Sequence, residues 1–469
     1  MNRWLAAFDK PFACDWLETH EGLPEPHGDL MKTKKILLWS VVSVLVIAIV
    51  AATVWWLRRP QVITFNDDSK VTLLSVEYGK RHAPPTVKAS TTPTTGAPAR
   101  RGGGSSFTTT TDTLVLWVGQ EYDSKQYHNF QYYAYDKADT ACVQTYGRNY
   151  GNGRQGSEIV AVQLDAFPRR QGKFVVRVQQ NSNGDNEVAE KKFVISNPAR
   201  KSFPTWTPES LPATKEDEDL SVTLTKLVAG ANMPYTRNND DQDDAMNKGV
   251  QATFQVARNG VTATNWQPVS IETSDATGNH INGSANNQWN GNDDVVTYQW
   301  GLWPDEPTWK IRLEFSQQSN FSDGELWTVQ NIPLQPGQQR DFWNYARNSR
   351  TNSVVAETDL NGFHLKVFPA KQFTDMSPNS QPQGGLVIQT DPTLPDGMRM
   401  TIAKLTDDQG NNIGYWGGGW SRNGNMTFYQ YSLREVSGAT NLNLTIALHK
   451  SRYVEFTAKP TKETAAAAQ

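Results

Sequence analysis

From Ile36 to Leu57 the chain reads ILLWSVVSVLVIAIVAATVWWL, with no charge, glycine or proline. This run constrains the fold more than any other segment, because an uncharged apolar stretch of this length has few places to go. As a helix it rises about 33 Å, enough for a hydrocarbon core of roughly 30 Å. Trp39, Trp55 and Trp56 lie near its ends, where indoles favour the water–lipid interface. Lys32, Lys34 and Lys35 precede it, and Arg58 and Arg59 follow. The excess of positive charge on the first side predicts a cytoplasmic N-terminus. The expectation is a single-pass transmembrane helix over 36–57 of the signal-anchor type. The lipid bilayer is then a partner, and everything after the helix lies outside the cytoplasm, in the cell envelope. A cleaved signal peptide is the competing reading, but its apolar region is usually about 7–15 residues long. Residues 1–30 read as a short N-terminal segment with little fixed structure. Met31-Lys-Thr-Lys-Lys resembles a second, internal start.

The remaining 400 or so residues carry no comparable run. Lys+Arg number 45 against 48 Asp+Glu, so the net charge is −3. That balance offers no basic face for nucleic acid. Hydrophobic residues make up 37% of the chain and aromatics 10%, enough to build cores. With two cysteines, Cys14 and Cys142, neither a disulfide-stapled scaffold nor a cysteine-based metal centre is available.

Past the membrane segment the text turns to strands. Val62–Phe65 and Val71–Val76 flank Asn66-Asp-Asp-Ser-Lys70, predicting a membrane-proximal hairpin over 61–82 that, being marginal alone, either adds strands to the first sandwich or packs near the membrane. Residues 83–111 are rich in proline, threonine and glycine and read as a linker or long loop. Three stretches then follow, at 112–198, 217–333 and 355–460. In Trp309-Lys-Ile-Arg-Leu-Glu-Phe315 the odd positions are apolar and the even ones charged, the period-two signature of a strand with one buried face. Leu220, Val222 and Leu224 alternate with polar residues, as do Val250, Ala252, Phe254 and Val256. The octets 274–281 and 406–413 both fit [ST]-D-x-x-G-N-x-I. Each reads as a turn in which Asp bonds backbone N–H groups and Gly takes positive φ. Asp275 and Trp309 are 34 apart, and Asp407 and Leu442 are 35 apart. Such spacing points to internal duplication of one domain. The fold class expected is all-β, with tandem two-layer β-sandwich modules after the transmembrane helix. The pattern resembles the generic immunoglobulin-like sandwich over about 350 residues. It lacks the Cys…Trp…Cys hallmark, so the resemblance implies a fold type and no functional residues.

Chemistry is thinly written. Gly419-Trp-Ser-Arg-Asn-Gly424 is one residue too long for a nucleophile elbow, and its all-β context offers no strand–turn–helix. The seven histidines show no ligand spacing. No catalytic residue and no cofactor is assigned. Asp240, Asp241, Asp243 and Asp244 form an acidic loop that reads as solvated, with a Ca²⁺ site as the weaker alternative. Trp416 and Trp420 flank three glycines, and Trp300 and Trp303 sit at a comparable point of the preceding stretch. Exposed indoles of this kind can stack on sugars or peptides; buried, they would plug the sandwich ends. The functional expectation is a non-enzymatic, membrane-anchored protein displaying its modules for structural or protein-interaction roles. Carbohydrate binding through the loop tryptophans is the alternative, and an enzyme with an unrecognised site is a third reading.

Overall fold

The computed structural model describes residues 39, 42–48, 60–85, 106–123, 128–135, 141–145, 147–149, 157–182, 189–199, 202–232, 248–284, 295–299, 301–339, 353–374, 383–436 and 438–462. Within the apolar run, Trp39 and 42–48 are helical, and the Ser43 hydroxyl donates to the Trp39 carbonyl at 2.9 Å. Among the described residues no helix is long and apolar enough to cross a membrane. The other positions of 36–57, and all of 1–30, lie outside them.

From Gln61 onward the described residues are nearly all β and sandwich-like, with one short 3-10 helix at Asp323–Glu325. The first sandwich comprises β1 (Gln61–Thr64), β2 (Lys70–His82), β3 (Phe107–Glu121), β4 (His128–Tyr135), β5 (Ala141–Thr145), β6 (Gly147–Asn149), β7 (Ser157–Leu164), β8 (Lys173–Ser182) and β9 (Ala189–Ser196). Its sheets run β1-β2-β3-β7-β6 and β5-β4-β8-β9. The second begins with β10 (Ala213–Asp217), β11 (Leu220–Asn232), β12 (Lys248–Arg258), β13 (Val261–Thr262), β14 (Trp266–Asp275), β15 (His280–Ser284), β16 (Val295–Gln299) and β17 (Trp309–Gln317). The third holds β18 (Leu326–Gly337), β19 (Ala356–Leu360), β20 (Phe363–Val367), β21 (Ala370–Phe373), β22 (Gly384–Asp391), β23 (Met398–Asp407), β24 (Tyr415–Asn423), β25 (Met426–Leu433) and β26 (Asn441–Lys450). The chain closes with β27 (Arg452–Ala458) and β28 (Thr461–Lys462).

One strand plan recurs. Each sandwich contains an antiparallel hairpin, β1–β2, β10–β11 or β19–β20, whose second strand pairs with β3, β12 or β22. A second run of three antiparallel strands also recurs: β4-β8-β9, β14-β17-β27 and β23-β26-β18, the last joined to β19–β22 through the parallel pair β18–β21. The spacings read from sequence are register pairs here. Asp275 lies opposite Trp309, and Asp407 opposite Leu442.

The hairpin 61–82 adds its strands to the first sandwich, one of the two placements expected for it, since β2 pairs with β3 along its length. Two boundaries differ from the sequence reading. Residues 83–111 do not stand as a linker ahead of the first sandwich. His82 pairs with Phe107, so the segment leaves and re-enters one sheet, and 107–111 are themselves strand. Most consequentially, the end strands of the last two stretches are exchanged. Leu326–Pro333, read as the end of 217–333, pairs with β26 of the third sandwich. Arg452–Ala458, read as the end of 355–460, pairs with β17 of the second. The third sandwich is thus inserted between two strands of the second. Pattern could not show this, since alternation fixes which face of a strand is buried and is silent about its neighbour.

The predicted inward faces hold. Trp309, Ile311, Leu313 and Phe315 are buried, as are Leu220, Val222 and Leu224 and the alternating set on β12. One buried cluster runs through the first and second sandwiches, from Leu116 and Phe174 to Phe254, Phe315 and Phe456. The third sandwich has its own, around Ile388, Leu405, Leu444 and Ile446. Where the second and third meet, the seam is polar. Arg399 grips the buried Glu314 carboxylate with Nε at 2.7 Å and with Nη2, and the Ser451 hydroxyl donates to it at 2.6 Å.

Candidate functional site: an aromatic hairpin and a repeated turn

Beyond Trp39, the large exposed aromatic side chains among the described residues, Tyr415 and Trp420, lie on the hairpin β24–β25. Along β24 the register with β25 slips between Gly417 and Gly419, leaving Gly418 as an extra residue. Gly419 has φ +129°, a conformation L side chains rarely adopt, so glycine is required there. The slip decides which side chains share a face. Without it Trp416 and Trp420, four apart on a strand, would point the same way. With it, Trp416 lies opposite Ser432 and Trp420 opposite Tyr429, which are on opposite faces of β25. The two tryptophans expected to act as a pair are therefore separated by the sheet.

A different set comes together instead. Tyr415 lies opposite Leu433, on the face that carries Tyr431, Tyr429 and Trp420. The Tyr415 and Tyr431 rings meet edge-on at 6.1 Å, and the Tyr415 hydroxyl donates to the Ile402 carbonyl at 2.8 Å. The stripe runs outward from the core, ending on Trp420, which is 63% exposed; Tyr415 is 40% exposed. Burial pushes the phenols of Tyr415, Tyr429 and Tyr431 above their ordinary value, so they remain neutral donors. The Arg422 guanidinium lies 4.9 Å from the Trp420 ring centre, and Arg434 lies 4.7 Å from that of Trp416. Each indole thus has a cation on one face. The sequence reading puts Tyr415, Trp416 and Trp420 on a glycine-rich loop; they lie instead in strand β24, and Tyr429 and Tyr431 are not singled out by it. Only the bulge puts the tyrosines beside Trp420.

The remaining candidates fall elsewhere. Trp303 is 2% exposed, packed in the core shared by the first two sandwiches, and its carbonyl accepts from the Trp309 indole at 3.2 Å. It plugs the core and cannot meet a ligand. Trp300 and Asp240, Asp241, Asp243 and Asp244 lie outside the described residues. Among the described residues no group of three His, Cys, Asp or Glu could hold a metal ion. Ser421 sits mid-strand opposite Phe428.

A cleft of about 550 Å³ opens between the second and third sandwiches, walled by Trp266, Arg258, Arg452, Glu325 and His449. Most of its charges are paired among the described residues, Lys450 excepted. Arg258 bonds Asp219 at 2.5 Å, Arg452 bonds Glu218 at 2.6 Å, and Glu325 accepts from the Ser322 backbone and hydroxyl. His449 is buried, its Nε2 3.1 Å from the Thr401 hydroxyl, and burial lowers its proton affinity, so it stays neutral near pH 7.

The repeated octet forms the same turn twice. In the second sandwich the Asp275 N–H bonds the Asn279 carbonyl and the Gly278 N–H bonds the Asp275 carbonyl, both at 3.1 Å. The Asp275 carboxylate accepts from the N–H groups of Thr277 and Asn279 and from the Asn279 amide. Asp407, Gln409, Gly410 and Asn411 repeat each of these bonds in the third. Gly278 and Gly410 have φ of +90° and +87°. Bonding from the Asn411 amide and the turn N–H groups holds the Asp407 carboxyl below the usual carboxylate range. The chain matches no protein-family model and no curated protein.

Proposed function

We propose that this is a membrane-anchored protein that displays a stiff stack of immunoglobulin-like sandwiches to a partner outside the cytoplasm. The observation that carries this reading is the insertion of the third sandwich between β17 and β27 of the second. Two polypeptide connections and the Glu314–Arg399 grip then hold the outer sandwich in place, which suits a support that presents an edge at a fixed position. The anchor reading is supported by the side chains of Trp39, Val42, Val44, Leu45, Val46 and Ile47, all exposed on a helix with no polar face. Display acts through the free edge of β24, which among the described strands pairs with β25 only, and through the aromatic stripe beside it.

The test is alkaline-carbonate extraction of membranes from cells expressing the full chain, followed by protease treatment of intact cells or spheroplasts. Retention in the pellet with digestion of the sandwiches from outside is expected. Release into the carbonate supernatant, or protection of the sandwiches by an intact inner membrane, overturns the reading.

The exposure of Trp420 beside Arg422 favours carbohydrate binding as a second reading, with the indole stacking on a sugar and the guanidinium meeting an anionic substituent. A saturable fluorescence change with a glycan panel, lost in Trp420→Ala and kept in Trp416→Ala, would establish it.

A further inference from the structure

The two copies of the D-x-x-G-N turn have the same inner bonds and different outer surroundings. In the second sandwich the outer edge of the turn is occupied. The Asn279 amide donates to the Phe167 carbonyl at 3.0 Å and accepts from the Phe167 N–H at 3.2 Å, so the side chain grips both main-chain groups of one residue. Two residues on, Arg169 Nη1 donates to the Thr277 carbonyl at 3.2 Å and lies 3.1 Å from where a Cβ on Gly278 would stand. Thr277 and Asn279 are buried by this contact. It is how the segment Ala166-Phe-Pro-Arg169 of the first sandwich docks on the second.

In the third sandwich the outer edge faces solvent, with the Thr440 hydroxyl donating to the Asp408 carboxylate at 2.6 Å. Gln409 and Asn411, the counterparts of Thr277 and Asn279, are exposed. The Asn411 amide bonds Asp407 at 2.8 Å and has no further hydrogen bond among the described residues. No described atom lies within 4 Å of a Cβ placed on Gly410. The position held by Ala276 in the second turn is Asp408 here, exposed, which adds a carboxylate where the arginine would arrive.

We infer that the turn Asp407–Asn411 is a docking site for an extended basic segment of another protein. One residue of that segment pairs its backbone N–H and C=O with the Asn411 amide. An arginine two positions later bonds the Gln409 carbonyl under the field of Asp408. The reasoning is that an identical hydrogen-bonding frame presents an identical outer edge, and this chain already contains one such edge with its occupant in place. The recognition is main-chain plus guanidinium, because the Phe167 ring packs back into its own sandwich against Tyr78 and Phe174. A second copy of this chain does not supply the segment, since Phe167 and Arg169 are already buried at their own joint. The inference names a kind of partner for the display role and rests on that reading.

The test uses the full chain in detergent, with a benzophenone amino acid in place of the exposed Gln409. The probe is a biotinylated peptide of the sequence LDAFPRRQG, residues 164–172. Labelling above a scrambled peptide is expected. It should fall about fivefold with each hydrogen bond removed, by N-methylation of the peptide phenylalanine or by replacing its first arginine with alanine. Both changes leave the protein untouched, so a folding defect cannot produce the loss. Labelling no greater than with the scrambled peptide overturns the inference, as does labelling indifferent to both changes. Carbonate extraction of the chain would sink the display reading and leave this labelling unaltered, so the two fail separately.

Discussion

Asn279 and Asn411 stand at the same place in the same turn, and a single substitution should separate their roles. Asn279 is 0% exposed and bridges Asp275 to both main-chain groups of Phe167. Asn279→Ala leaves those groups buried without partners, and we expect a loss of about 3 kcal/mol in denaturant unfolding. Asn411→Ala removes one bond to an exposed turn and should cost a small fraction of that. The tryptophans divide in the same way. Trp303→Ala empties a filled core and should cost about 3–5 kcal/mol, whereas Trp420→Ala should leave the melting temperature almost unchanged. At this scale the sequence was informative about chemistry and blind to neighbours. The octet announced its carboxylate-centred turn, because those bonds are local. That Asn279 also reaches 112 residues back to Phe167 depends on how two sandwiches meet, and no local pattern encodes it. For the same reason Trp303 and Trp420 looked alike in sequence and sit in opposite environments.

Among the elements, the hairpin β19–β20 offers a clean titration. The His364 ring nitrogens lie 2.8 Å from Asp359 and 3.3 Å from Glu357. The Asp359 hydrogen bond, more than the slight burial that opposes it, raises the imidazole above its ordinary value. A raised folded value means that the contribution is fully present below the unfolded value of about 6.5 and fades as pH climbs through the folded one. NMR titration of His364 should show the elevated value, and Asp359→Asn should bring it down. Strand alternation was readable here and in β11, β12 and β17, since period two follows from backbone geometry; it was not in 107–111 or in β24, where threonines and glycines carry no alternation. The β24 bulge was not. Three consecutive glycines flag conformational freedom without saying where the extra residue falls, and that choice decides whether Trp416 or Tyr415 accompanies Trp420.

For the molecule as a whole, acid should attack the seam between the second and third sandwiches before the shared core of the first and second. Burial alone would raise the Glu314 carboxyl, but its bonds from Arg399 and Ser451 hold it below the usual range. That stability is complete above the unfolded value of about 4.3 and is lost as pH falls through the folded one. His449, held neutral by burial, adds a loss that begins as pH drops below about 6.5, where the unfolded chain takes up the proton first. Calorimetry should therefore resolve two transitions on acidification, with that of the third sandwich moving first, and Glu314→Gln should reproduce the shift at neutral pH.

The order in which the chain visits the sandwiches has a mechanical consequence. A pull applied at the third sandwich is carried across the seam by two parallel connections, into β18 and out through β27. Each leads from or into a strand bonded laterally along its length, β26 for one and β17 for the other. Tension is then borne as shear over many hydrogen bonds at once, whereas a chain of beads joined by single threads would concentrate it at one link. Such a pair can transmit force from the third sandwich to the second with little extension before a whole sheet gives way.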